Sequence, residues 1–218
     1  MSPVSYGPNQ LERALTLGTS TLFEAAAIPS ASVDPLIRPV WAGATVAGHA
    51  FPLQCSPGDN LAIHLAMERA PRGAVLVVDA KGFVAGYWGE VLTVAAEVAG
   101  VAGLIIDGGV RDVTALRTRR FPVFARGVSM RGTIKASAPS VGLPILLAGT
   151  PVGPGDLVVA DDDGVLILPA EAAAGAIERG ERRAATETLL MDALLGGRTT
   201  LDLLGLTRWR KVADEASI

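Results

Sequence analysis

Residues 74–80 read AVLVVDA, five apolar residues in a row before an aspartate, and no other stretch constrains the fold as tightly. A strand with one wet face alternates polar and apolar residues, so an unbroken run is the mark of a strand covered on both faces. Two further short runs follow, LIID at 104–107 and FPVF at 121–124, with helical spacing between them at about 90–99 and 112–117. A βαβαβ order of this kind implies a parallel sheet with right-handed crossovers. The middle of the chain is therefore expected to be the core of an α/β fold.

The flanks have different rhythms. Residues 10–27 read as two short helical pieces broken at Gly18, with Ser20 or Thr21 as N-cap candidates for the second, inside an N-terminal helical lead-in of 1–40 whose Pro3, Pro8 and Asn9 look exposed. ATVAGHAF at 44–51 alternates like a strand, and Pro57, Gly58 and Asp59 precede a helix from about Asn60 to Ala70. From Leu143 onward three short strands are separated by Gly, Pro and Asp turns with no helix between them. DDDG at 161–164 is read as a hairpin turn rather than a metal site, because short acidic side chains bond their own backbone in turns. Residues 170–195 form an amphipathic helix that begins a C-terminal arm, 170–218. With no repeat and no long linker, a single domain over 1–218 is expected.

Charge and composition exclude several classes. A formal net charge of −3 over 218 residues gives no basic footprint for nucleic acid. Mean hydropathy is +0.40, yet the longest weakly polar run, 91–106, carries Thr93, Glu97 and two glycines. A membrane-spanning helix needs roughly 20 predominantly apolar residues, so no membrane partner is expected. The N-terminus shows no charged region followed by an apolar one, which points to the cytoplasm. Cys55 is the lone cysteine and is read as a small buried apolar residue; with only His49 and His64 beside it no zinc set can be assembled.

The chemistry gathers at two turns. In an open parallel sheet, ligands bind beyond the carboxyl ends of the strands, and LIID points that end at GGVRD, where Arg111 and Asp112 stand side by side ahead of a helix. YWGEVLT at 87–93 is a second turn with a glycine before a helix. If Gly89 opens that helix, the N–H groups of Glu90, Val91 and Leu92 are free to hold a small carboxylate. Arg111 can then stabilise an oxyanion and Asp112 can anchor a hard cation through oxygen. From the residues alone, a helix-capping Asp112 and a surface Arg111 explain the dipeptide equally well. His64, one helical turn after Asn60, is read as a core histidine, and Lys81, Lys135 and Lys211 as solvated residues unsuited to Schiff-base chemistry.

Taken in order, GDNLAIH (58–64), AVLVVDA (74–80), WGEVL (88–92), GLIIDGGVRD (103–112) and PGDLVVADDDGVLILP (154–169) resemble one family. It is that of the 4-hydroxy-4-methyl-2-oxoglutarate/4-carboxy-4-hydroxy-2-oxoadipate aldolases and the regulator of ribonuclease activity A-like proteins. The resemblance runs over roughly 60–204. It implies a swivelling-domain-like α/β/β sandwich with the parallel βαβαβ core and a C-terminal helix, assembled as a homotrimer or homohexamer. It also implies a pyruvate aldolase dependent on Mg²⁺ or Mn²⁺, acting on a small oxo acid and decarboxylating oxaloacetate as a side activity. On that reading Gly89, Glu90, Val91 and Leu92 bind the pyruvate carboxylate, Arg111 contacts the oxo or enolate oxygen, and Asp112 binds the metal. Glu90 matches an acid that orients a proton-carrying water, and Glu187 falls where the aldolases place an acid near a neighbouring subunit's metal waters. Other relatives regulate a ribonuclease without catalysis, which is the alternative. Glu24 stands where relatives more often have Asp, and RGTIKASAPSVGLP only approximates the usual loop.

Overall fold

A computed structural model describes residues 6–210, so the expectations for Pro3 and Lys211 lie outside the described residues. Helix α1 (Pro8–Ala26) is followed by a short strand β1 (Arg38–Pro39), then β2 (Val46–Gln54), α2 (Leu61–Arg69), β3 (Ala74–Asp79), α3 (Glu90–Ala99), β4 (Gly103–Val110), α4 (Val113–Arg119) and β5 (Val123–Val128). The strands then shorten through β6 (Ser140–Val141), β7 (Ile145–Leu147), β8 (Thr150–Val152), β9 (Leu157–Asp161) and β10 (Gly164–Leu168) before α5 (Ala170–Leu195) and α6 (Thr200–Leu203). The chain divides into two compact units, one ending at Gly180 and one beginning at Glu181, so the boundary falls inside α5.

The first unit is built on one mixed sheet ordered β1-β5-β4-β3-β2-β9-β10, with β6 added to β2. β2, β3, β4 and β5 are parallel, one strand more than the expected βαβαβ core, because the 44–51 alternation pairs directly with β3. Every residue of β3 and β4 is buried, as the unbroken apolar run requires. Leu76, Val78, Leu104 and Ile106 face a core shared with α2, α3 and α4, while Val75, Val77, Ile105 and Phe124 face a second core closed by the later strands. The sheet curls until its ends come together: both terminal nitrogens of Arg38 on β1 donate to the carbonyls of Asp162 and Asp163 in the turn after β9, each at 2.8 Å.

That turn settles the reading of the three aspartates. Asp161 accepts the Thr19 N–H at 2.8 Å and the Thr19 hydroxyl at 2.7 Å, Asp162 accepts the Gly43 N–H, and Asp163 accepts the Ser20 hydroxyl. α1 does break at Gly18, whose φ of 74° and ψ of 167° are not helical. The cap of its second half is the distant Asp161, in place of the expected Ser20 or Thr21. β4 also differs from expectation, continuing past Asp107 through both glycines to Val110 with a register shift between Ile106 and Gly109. No helix among the described residues is long and apolar enough to cross a membrane.

Candidate active site

The turns after β2, β3, β4 and β5 meet beyond the carboxyl ends of those strands. Trp88 is fully buried, stacks on Phe121, and donates through its indole N–H to the Thr93 hydroxyl at 2.8 Å, which fixes the start of α3. The Arg111 N–H donates to the Trp88 carbonyl at 2.8 Å, so the second turn is laid beside the first. Asp112 follows with φ 60° and ψ 36°, a left-handed conformation that aspartate tolerates better than most residues. The turn sends its carboxylate away from its own helix and toward α3, where Oδ2 accepts the Glu90 N–H at 3.0 Å. Asp112 thus caps its neighbour, at the end of α3 where the helix dipole favours negative charge.

Two glycines make room for this. A Cβ on Gly89 would lie 2.3 Å from Asp112 Oδ2 and 3.1 Å from Arg111 Cγ, and one on Gly86 would lie 2.9 Å from Arg111 Cδ. Gly89 has an extended backbone, φ −162°, so space and not conformation demands the glycine. Gly89→Ala is accordingly expected to push Asp112 off the Glu90 amide and lower stability by about 1 kcal/mol, the size of a lost capping bond. Thermal unfolding of wild type and variant checks this, and equal melting temperatures would contradict the packing argument.

A cleft of about 280 Å³ joins the two turns and includes Gly89, Val91, Leu92, Arg111 and Asp112 in its walls. The Val91 and Leu92 N–H groups have no acceptor among the described residues, because the first bond within α3 runs from the Thr93 N–H to the Gly89 carbonyl. The Glu90 amide, expected to join them, is taken by Asp112, which reduces the free set from three to two. The Glu90 carboxylate is also turned aside: Oε1 accepts from Arg119 Nε at 3.1 Å, and Glu90 is absent from the cleft wall. It borders instead a broad depression between α3 and α4, shared with Asp112 and Arg119, so Asp112 alone of the acids faces both spaces.

The far wall holds residues that the sequence reading set aside. Asn60 donates from Nδ2 to the Tyr87 carbonyl at 3.0 Å, but its Oδ1 is buried without a partner among the described residues, as is His64 Nε2. Burial and the nearby Lys135 charge push the His64 imidazole below its ordinary value, which leaves it neutral at pH 7. Unpaired buried polar atoms are uncommon, and two beside one cleft mark positions suited to a polar ligand. Thr133 and Lys135 complete this wall, Lys135 remaining exposed. The four-residue spacing of Asn60 and His64 was the only signal in the sequence, since their shared place in the cleft wall depends on how the loop after β5 packs.

Burial pushes the Cys55 thiol up to about 12, in keeping with an inert apolar role. Glu187 lies in the second unit on α5 and pairs with Arg183 at 2.8 Å. No group of three or more His, Cys, Asp or Glu side chains is placed to hold a metal among the described residues. The donor set near the cleft is a single carboxylate, Asp112, whose Oδ1 has no hydrogen-bond partner there. That fits a hard cation that keeps most of its waters, as Mg²⁺ does, and does not fit a closed protein cage.

An α/β domain whose strand-end cleft collects an arginine, a lysine and two open helix-terminal amides is of the class equipped to hold a small anion. A family model described as RraA-like, Aldolase/RraA, matches residues 19–167, and the chain belongs to that family. A Halalkalibacterium halodurans protein, named provisionally as a 4-hydroxy-4-methyl-2-oxoglutarate aldolase, is 34% identical over 152 residues, 69% of this chain and 72% of that one. A solved Pseudomonas syringae pv. tomato structure superposes with a TM-score of 0.82 at 27% identity, covering 91% of this chain and 94% of the other. Streptomyces coelicolor RraAS2, titled an unusual member of the RNase ES inhibitor RraA family, shares the fold with a TM-score of 0.77 at 24% identity, over 86% of this chain and 98% of that one.

Proposed function

We propose that the chain is a carbon–carbon lyase that cleaves a 4-hydroxy-2-oxo di- or tricarboxylic acid to pyruvate and a second oxo compound. The observation that carries this is the convergence of Arg111, Asp112 and the open Val91 and Leu92 amides on one cleft. The name of the Halalkalibacterium relative supports the same reading.

In this reading the Val91 and Leu92 N–H groups receive the substrate carboxylate and set the orientation of the 2-oxo group toward Arg111. When the C4 hydroxyl loses its proton to water and the C3–C4 bond breaks, the electron pair moves toward the 2-oxo oxygen. The Arg111 guanidinium meets the charge that develops there, an interaction stronger in the transition state than in the ground state. Proton delivery to C3 then yields pyruvate. Glu90 faces the depression and not the cleft, with Oε1 held by Arg119, so it orients proton-carrying water only on that side of Asp112. Asp112 would hold Mg²⁺ or Mn²⁺ largely through waters; when bound, such an ion supplies Lewis-acid polarisation of the oxo group. Asn60, His64 and Lys135 face the part of the substrate beyond C3.

Oxaloacetate loses CO₂ by breaking its own C3–C4 bond with the same shift of electrons, so it is a simple probe. Pyruvate release from oxaloacetate is expected with Mg²⁺, to be abolished by EDTA, and borohydride is expected to trap no adduct. A trapped adduct would favour Lys135 as a Schiff-base lysine, a role its exposure argues against. A chain inert toward oxo acids that captured a ribonuclease would take the regulator reading instead.

The cleft also borders an apolar stripe on α3, where Val91 and Val98 are 80% and 77% exposed and Val94 lies between them. Large exposed apolar patches mark association surfaces. We assign this face to contact with further copies in a homotrimer or homohexamer. Light scattering with Val98→Lys, expected to shift the mass toward monomer, tests it.

A further inference from the structure

The loop 129–139 between β5 and β6 carries Gly132, Thr133 and Lys135 to the cleft, yet its own side chains bury little: Met130 is 93% and Ile134 64% exposed. Polar bonds must therefore hold it, and three of them converge on one carboxylate. Asp59 is only 2% exposed, and its carboxylate accepts four hydrogen bonds. Oδ1 takes the Leu61 N–H at 3.0 Å at the start of α2. Oδ2 takes the Ala136 N–H at 2.9 Å, the Ser137 N–H at 2.7 Å and the Ser137 hydroxyl at 3.1 Å. The backbone adds one bond on each side of Asp59, from the Ile134 N–H to the Gly58 carbonyl and from the Asn60 N–H to the Ile134 carbonyl. Burial pushes this carboxyl up, but the Leu61, Ala136 and Ser137 donors pull it below the usual carboxylate value, so it stays ionised.

We propose that Asp59 is a positioning residue: it latches loop 129–139 against the start of α2, and so fixes the wall that meets the part of an oxo acid beyond C3. The placement of Lys135 follows directly, since Ala136 is the next residue and its amide is one of the latched groups. An asparagine cannot replace this aspartate, because one of its two side-chain heads is an N–H₂ donor and would face donors on either side. The proposal rests on the oxo-acid reading of the cleft, and it is tested so that the two can fail separately.

The first measurement needs no substrate. In hydrogen exchange, Asp59→Asn is expected to speed exchange of 131–139 by at least about tenfold while β3 keeps its protection, because the latch is local and the sheet is not. The second uses two probes on the full-length protein: 4-hydroxy-4-methyl-2-oxoglutarate, which extends beyond C3, and pyruvate, which does not. The substrate KM is expected to rise about tenfold with a fall in kcat of less than about threefold, while pyruvate inhibition stays within about twofold. Ser137→Ala, which spares Asp59 and removes only the hydroxyl's contacts with Asp59 and Ser56, gives a smaller shift in the same direction and serves if Asp59→Asn does not fold. Unchanged loop exchange overturns the latch. Equal losses for both probes overturn the positioning role, since they mean general collapse. Faster loop exchange in a protein whose wild type neither turns over the substrate nor binds pyruvate overturns the oxo-acid reading and the specificity role with it, and leaves the latch as a feature of folding alone.

Discussion

Arg111→Ala is expected to lower kcat/KM for pyruvate release from oxaloacetate by about 10²–10³-fold, the size of effect that follows removal of one preorganised donor from a developing oxyanion. The guanidinium is half exposed and its one ion pair among the described residues is a loose 3.8 Å contact with Asp112, so the fold has little stake in it. A melting temperature close to that of wild type should accompany the loss, since surface substitutions of this kind usually change stability by no more than about 0.5 kcal/mol. Arg111→Lys should recover only part of the rate, because a single ammonium lacks the planar fork that can address a carboxylate and an oxo oxygen together. Steady-state kinetics beside calorimetry distinguish the two effects. A variant that turned over normally would remove Arg111 from the chemistry.

Asp112 has two roles that can be separated by choice of variant. In Asp112→Asn the side-chain oxygen can still accept the Glu90 N–H, but the charge that would hold a cation is gone. Activity should fall by at least about 10²-fold and Mn²⁺ titration should show no site, with the melting temperature nearly unchanged. Asp112→Ala loses the cap as well, and capping bonds of this type contribute about 1 kcal/mol. Its additional instability, measured against the asparagine variant, isolates the structural part. Equal Mn²⁺ affinity in wild type and Asp112→Asn would place the cation elsewhere.

The parallel core was legible because burial on both faces leaves a one-dimensional trace: AVLVVDA cannot be a half-wet strand, and β3 is buried throughout. The meeting of Arg111 with the α3 amides was legible too, since strand order and strand ends fix where such turns converge. Less visible was how the carboxylates would be used. Asp112 looks like the cap of its own helix in any local reading, and only its left-handed backbone redirects it to Glu90. Asp161 likewise serves Thr19, far away in the chain, because the sheet curls its ends together. β4 outran its expected end because two glycines that resemble a turn also let a strand pass close to a neighbour: a Cβ on Gly109 would sit 2.5 Å from the Ala85 carbonyl oxygen. Asn60 and His64 were set aside as core residues because their place in the cleft wall depends on a loop with no regular pattern.

One residue opens α4 by its backbone and α3 by its side chain. The two helices therefore share a pivot, and any change in the lie of α4, on whose exposed side Thr114 and Thr118 stand, is passed through Asp112 to the start of α3 and its Val91 and Leu92 amides.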